Sequence, residues 1–162
     1  RGTTLRRACH ALTLHRGQRV TQVEFHTGVK DPLDFACRLL RKAYRQGVQV
    51  QVSAAPERLL DLDRALWVEP ERDFVPHLRM PGGSAAVAAR TPIWLVTRDL
   101  GPPAPRVLVN LGADASAEPA LLERLIEIVS TDPDDITRGR DRYRVYKQGG
   151  LNVVHHPAHA AG

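Results

Sequence analysis

Three of the seven histidines, His155, His156 and His159, crowd the C-terminus and could collect a transition ion through neutral imidazole nitrogens. Only Pro157 and small residues accompany them, with no neighbouring cysteine or carboxylate, so a solvated tail is the simpler account. His26 lies in an alternating segment and reads as a strand side chain, whereas His77 stands beside aromatic residues and belongs with them. The first strand-to-helix junction, HTGVKDPLD, is no phosphate cradle, and neither GxGxxG nor GxxxxGK[ST] occurs anywhere. Gly82 and Gly83 are followed by Ser84 and alanines, with no basic residue before Arg90, as in an ordinary loop. There is no GxSxG elbow to expose a serine nucleophile. Asp132, Asp134 and Asp135 surround Pro133 as turn and cap residues do. The sequence therefore assembles no catalytic set, and it predicts neither a metal nor a cofactor.

Two sets of residues suit binding instead. Arg140, Arg144 and Lys147 fall at i, i+4 and i+7 near the C-terminus, with Tyr143 and Tyr146 alongside, so that cations share a helix face with an aromatic wall. Such a face fits an anion that carries apolar groups, and a phosphate backbone or an acidic peptide would satisfy it equally. A solvated helix whose tyrosines pack on a sheet has the same spacing. The second set lies in ALWVEPERDFVPH, residues 65–77, where Trp67 and Phe74 are two of only eight aromatic residues, and Pro70 and Pro76 stiffen the backbone that presents them. Exposed together, they would anchor a protein interface; buried, they are simply core.

Alternating strand and helix patterns must position these residues. In TQVEFHTGV, Val23 and Phe25 alternate with polar neighbours. Asp31 can cap and Pro32 open a helix to about residue 46, with Leu33, Ala36, Cys37, Leu40 and Tyr44 on one side. Val48, Val50 and Val52 alternate as a strand, and residues 56–67 carry Leu59, Leu62 and Leu66 at helical spacing. Residues 68–91, broken by prolines and glycines, read as an irregular connector. Ile93 to Val96 and RVLVNLG read as strands. Residues 119–129 read as a helix with Leu122, Leu125, Ile126 and Val129 on one face, residues 136–148 as a basic helix capped by Asp134 or Asp135, and residues 151–154 as a last strand. This order predicts a three-layer α/β, Rossmann-like domain with a largely parallel sheet and no functional nucleotide-binding loop. The divisions expected are a basic extension over residues 1–20, a domain over 21–154 and a loose tail over 155–162.

At 162 residues, with 43% hydrophobic and 25% charged composition, the chain has the make-up of one globular domain. Its net charge of +5 misleads, because Arg1, Arg6, Arg7, Arg16 and Arg19 precede the first acid, and the remainder balances 18 basic against 18 acidic residues. Charge clustering on one helix, rather than overall basicity, is what could bind a partner. Residues 1–20 are compatible with a transit segment or a flexible arm. Cys9 and Cys37 form no CxxC pair, and no apolar run is long enough to span a bilayer, so a cytoplasmic location without a membrane is expected.

LDRALWVEPERDFVPH, followed far downstream by RDRYRVYKQGGLNV, resembles the chi subunit family of bacterial DNA polymerase III, and the likeness runs from about Thr21 to Val154. The resemblance implies a noncatalytic accessory subunit with a Rossmann-like fold. It implies a bridge between psi, which ties the subunit to the clamp loader, and the acidic C-terminal tail of single-stranded DNA-binding protein, which ends Asp-Phe-Pro-Phe. Arg140, Tyr143 and Arg144 match the family's tail-binding helix, and Lys147 is added one turn on. Trp67 and Phe74 match the pair that faces psi or a competing helicase-like protein, with Pro76 and His77 shaping the edge. Ile136 departs from the family pattern where a basic contact is expected, and Arg138 is the substitute. Nucleic acid is then met mainly indirectly, at the replicating nucleoid. The rival reading is a module that binds single-stranded nucleic acid directly through the basic C-terminal helix.

Overall fold

Seven strands, all parallel among the described residues, form one sheet in the order β3-β4-β2-β5-β6-β1-β7. They are β1 (Gln22–Val29), β2 (Val50–Ser53), β3 (His77–Arg79), β4 (Ile93–Val96), β5 (Val107–Asn110), β6 (Arg124–Ser130) and β7 (Asn152–Pro157). The helices are α1 (Pro32–Arg45), α2 (Pro56–Val68), α3 (Ala85–Arg90) and α4 (Pro133–Gln148). The structure, a computed structural model, describes residues 21–68 and 74–158. The expectations for residues 1–20, Pro70 and His159 lie outside the described residues.

Parallel strands need crossovers, and the crossover helices cover both faces of the sheet. On one face α1 and α2 bury Ala36, Cys37, Leu40, Leu59, Leu62 and Leu66 against Val52, Ile93, Leu95, Ile126 and Ile128. On the other, α4 closes over Val23, Phe25, Leu108, Leu125 and Val129, while α3 packs through Ala88 near Trp94 and Val96. This is the three-layer Rossmann-like architecture expected from the sequence. Among the described residues no helix is long and apolar enough to cross a membrane.

Local chemistry sets the helix starts. Asp31 accepts from the backbone N–H of Asp34 at 3.0 Å, with Pro32 in the first turn of α1. Asp132 does the same for α4, accepting from Asp134 and Asp135 at 2.9 and 3.2 Å. The cap is thus Asp132 rather than Asp134 or Asp135, and the helix begins at Pro133, not residue 136. Asp135 turns inward instead and accepts the Ser130 N–H at 2.8 Å.

Three further expectations are corrected. The helix foreseen over residues 119–129 is a single 3₁₀ turn, Pro119–Leu121, followed by β6. Its apolar residues satisfy helical spacing, but Leu125, Glu127 and Val129 face α4 while Ile126 and Ile128 face α1 and α2, and a central strand must be buried on both sides. The connector over 68–91 contains β3 and α3, the latter capped by Ser84 on Val87. The last strand continues through Pro157, paired to β1 as far as Thr27, so His155 and His156 belong to the sheet and not to a tail.

Candidate functional site

The inner stripe of α4 fixes how its outer residues point. Asp135, Gly139, Arg142 and Tyr146 are its buried residues, one to each turn. Arg142 Nε donates to Glu127 Oε2 at 2.7 Å, and the Tyr146 hydroxyl donates to Glu127 Oε1 at 2.8 Å. Asn110 Nδ2 donates to the same Oε1 at 3.1 Å, and Tyr146 accepts the Ser116 N–H at 3.0 Å. Burial pushes the Glu127 carboxyl up, and Arg142, Tyr146 and Asn110 pull it back. Burial, joined by the neighbouring carboxylate, also pushes the Tyr146 hydroxyl up. Tyr146 is therefore core and not part of an exposed aromatic wall, which decides for the alternative in which it packs on the sheet.

Gly139 lets the helix approach. A Cβ there would stand 2.8 and 3.1 Å from the two methyl carbons of Val129, nearer than side chains normally pack. At the end of β1 the pairing with β6 shifts register between His26 and Val29, where Gly28 adopts φ of +70°, a conformation that favours glycine. The opened strand end and the close helix frame a cavity of about 420 Å³.

Phe25 and Val129 from the sheet, with Ile136 and Tyr143 from α4, make its apolar walls; Arg140, Thr27 and His155 line it as well. The rings of Phe25 and Tyr143 meet edge to face, with centroids 5.4 Å apart. Thr27 Oγ1 and His155 Nε2 share a hydrogen bond of 2.6 Å. Of the residues expected on this face, Arg140 and Tyr143 come together at the cavity. Arg144 does not line it and donates to Asp141 at 3.1 Å on the exposed side. Lys147 stands over the Tyr143 ring, 5.9 Å from its centre. Arg138 lies 4.0 Å from Asp135 and is also absent from the lining, so Ile136 adds an apolar wall and, among the described residues, Arg138 supplies no cation in its place. Phe25, Val129 and His155 were missed because they come from three strands that sequence spacing does not join; the alternation of Val23 and Phe25 was the only signal.

The second surface lies at the β3 edge of the sheet, opposite the β7 edge that borders the cavity. Trp67 is 64% and Phe74 52% exposed, with ring centroids 4.9 Å apart, so the buried alternative for this pair is overturned. The side chain of His77 is only 2% exposed beneath them. Its Nδ1 donates to the Val75 carbonyl at 2.8 Å, Nε2 meets Asp63 Oδ1 at 2.9 Å, and its ring sits edge-on to Trp67 at 5.6 Å. His77 thus supports the pair from below, and Pro76 is partly buried.

A third cluster lies on the other face of β1 and β7. Register pairs His26 directly with His156, and their rings stack with centroids 4.9 Å apart. Glu24, two residues along the same face of β1, holds Arg124 through two hydrogen bonds of 3.0 Å. The Arg124 bonds and the nearby His26 outweigh burial and hold the Glu24 carboxyl below its ordinary range; burial and the neighbouring His156 lower the His26 imidazole. His155 and His156 point to opposite faces of the sheet and cannot serve one ion together.

A model of the family described as DNA polymerase III chi subunit, HolC, matches residues 20–154. DNA polymerase III subunit chi of Pseudomonas aeruginosa is 32% identical over 145 residues, covering 85% of this chain and 96% of that protein. Its counterpart in Escherichia coli K12 is 24% identical over 118 residues, covering 72% of this chain and 79% of that protein. Among solved structures, S. cerevisiae Dbp5 bound to RNA and ADP BeF3 superposes with a TM-score of 0.57 at 13% identity, over 86% of this chain and 42% of Dbp5; that likeness shows the fold alone. A family match over nearly the whole described chain, on a parallel sheet whose basic last helix overhangs an apolar cavity, places this chain in the DNA polymerase III chi subunit family.

Proposed function

We propose that this chi chain is a noncatalytic adaptor that holds the acidic, phenylalanine-ended tail of single-stranded DNA-binding protein in the α4 cavity and psi on the Trp67 and Phe74 surface. Through psi it ties coated template to the clamp loader, acting in the cytoplasm at the replicating nucleoid. A helicase-like protein that reads the same aromatic pair would compete with psi.

The observation that carries this reading is the cavity of about 420 Å³, apolar inside and bordered by Arg140. It is of ordinary size for a pocket that buries a small ligand group. Its chemistry suits an aromatic side chain next to a carboxylate, since Arg140 can meet the carboxylate while Phe25, Val129, Ile136 and Tyr143 surround the ring. Exposed ion pairs contribute about 0.2–1 kcal/mol each, whereas burying one phenyl group contributes about 1.5–3 kcal/mol. Hydrophobic burial therefore supplies most of the affinity, and salt weakens binding without erasing the preference for a terminal phenylalanine. The exposed aromatic pair supports the second contact, because Trp and Phe placed side by side on a firm base are strong interface anchors.

Titration with the acidic peptide, the same peptide lacking its final phenylalanine, and a naked oligonucleotide tests the tail contact. The full peptide binds best, the truncated one loses most of its affinity, and Arg140→Ala weakens the full peptide more than Arg144→Ala does. Equal binding of the two peptides would remove the reading, and tight, steeply salt-dependent binding of the oligonucleotide would favour a nucleic-acid module.

A further inference from the structure

The geometry points to a divalent transition-metal site on the face of β1 and β7 away from the tail cavity, with His26, His156 and Glu24 as ligands and zinc as the best-suited ion. It is independent of the adaptor reading. The ligand atoms of these three residues lie within 4.8 Å of one another, and His26 Nε2 stands 3.6 Å from Glu24 Oε2. A tetrahedral zinc ion with bonds of about 2.0–2.2 Å holds its ligands roughly 3.3 Å apart, so the cluster must contract modestly. His156 is exposed and stacked on the His26 ring, so a change of its side-chain rotamer can supply that contraction, while β1 keeps Glu24 and His26 in place at alternate positions on one face.

The surroundings select the ion. Arg124 already neutralises Glu24, so a magnesium or calcium ion, which seeks several negatively charged oxygens, finds little here. A carboxylate has about four acceptor sites, and the Arg124 bonds leave some of them open to a metal. What remains attractive is a pair of imidazoles on adjacent strands, the ligand type that favours zinc, nickel and copper. Three protein ligands leave a coordination position for water or a partner's side chain. Binding would also tie the edge strand β7 to β1, since each supplies a ligand.

The test uses the full chain without a histidine tag, titrated with zinc chloride against a chromophoric chelator, with magnesium as the comparison ion. One zinc per chain binds at this face and raises the melting temperature, while equimolar magnesium does neither. His156→Ala and His26→Ala each lower zinc affinity about tenfold or more and cancel the thermal shift, whereas His155→Ala, on the opposite face, changes neither. Because His156 is exposed, its variant folds and keeps the comparison clean. Zinc affinity unchanged in His156→Ala, or absence of saturable zinc binding to the parent chain, would overturn the assignment.

Discussion

Replacing Arg142 by Met removes the guanidinium that Glu127 relies on and leaves the buried carboxylate on β6 with only the Tyr146 hydroxyl and the Asn110 amide as donors among the described residues. Both members of the ion pair are buried, and breaking such a pair from one side costs about 3–5 kcal/mol. The two surviving donors put the expected loss near the lower end, about 3 kcal/mol, which is still a large share of the roughly 5–15 kcal/mol that holds a domain together. Arg142 Nη2 is itself buried with no acceptor, so the pair as a whole is replaceable. Arg142→Met combined with Glu127→Gln should recover most of the loss, because a neutral amide can still accept from Tyr146. The loss should also depend on pH. With its counter-ion gone, the folded carboxyl is pushed further above its unfolded value, so the stability it permits is present below the unfolded value and falls as pH rises, by about 1.4 kcal/mol per unit in that window. The single variant therefore regains ground between pH 7 and pH 5. Urea unfolding followed by the fluorescence of buried Trp94 reads all of this. A single variant within about 1 kcal/mol of the parent at pH 7, or a double variant as unstable as the single, would refute the role given to this pair.

Gly139→Ala gains about 1 kcal/mol of helix propensity but meets Val129 at 2.8 Å, and overpacking of this kind costs about 1–3 kcal/mol. A lower melting temperature together with weaker tail-peptide binding is expected, since α4 must lift at the cavity; unchanged values in both measurements would contradict the close approach. The paired substitutions Trp67→Ala and Phe74→Ala should cost no more than about 2 kcal/mol of urea stability and leave the domain folded while abolishing copurification with psi, because each ring is only partly buried. Loss of folding would return the pair to a structural role.

Much of the fold is legible in the order of strands and helices, because Val23 and Phe25, Val50 and Val52, and the Leu59, Leu62 and Leu66 series follow the periods of their elements. The pattern fails at β6. A strand buried on both faces has no polar side, and the single Glu127 in RLIEIVS looks like the polar face of a helix until Arg142 and Tyr146 are seen to receive it. The same pair hid the orientation of α4, since a buried stripe built of Asp135, Gly139, Arg142 and Tyr146 carries almost no hydrophobic signal. Arg140 and Tyr143 were recognisable from their spacing, but spacing grouped Arg144 with them. Its diversion to Asp141 is a local contact that spacing alone does not predict. The histidines were grouped by proximity in sequence, whereas strand register unites His26 with His156 across the length of the domain.

The cavity spans β6, β1 and β7 and the aromatic pair stands at the β3 edge, so the middle of the cavity on β1 is five strand intervals from β3. At about 4.8 Å per interval this is a gap of roughly 24 Å, well past the distance at which perturbations cease to influence one another. Two guests could therefore be carried at once without jostling, and loading one should leave the dissociation constant of the other untouched. The sheet would then be a ruler of constant length, and any cooperativity in a larger assembly would have to arise from contacts between the guests themselves.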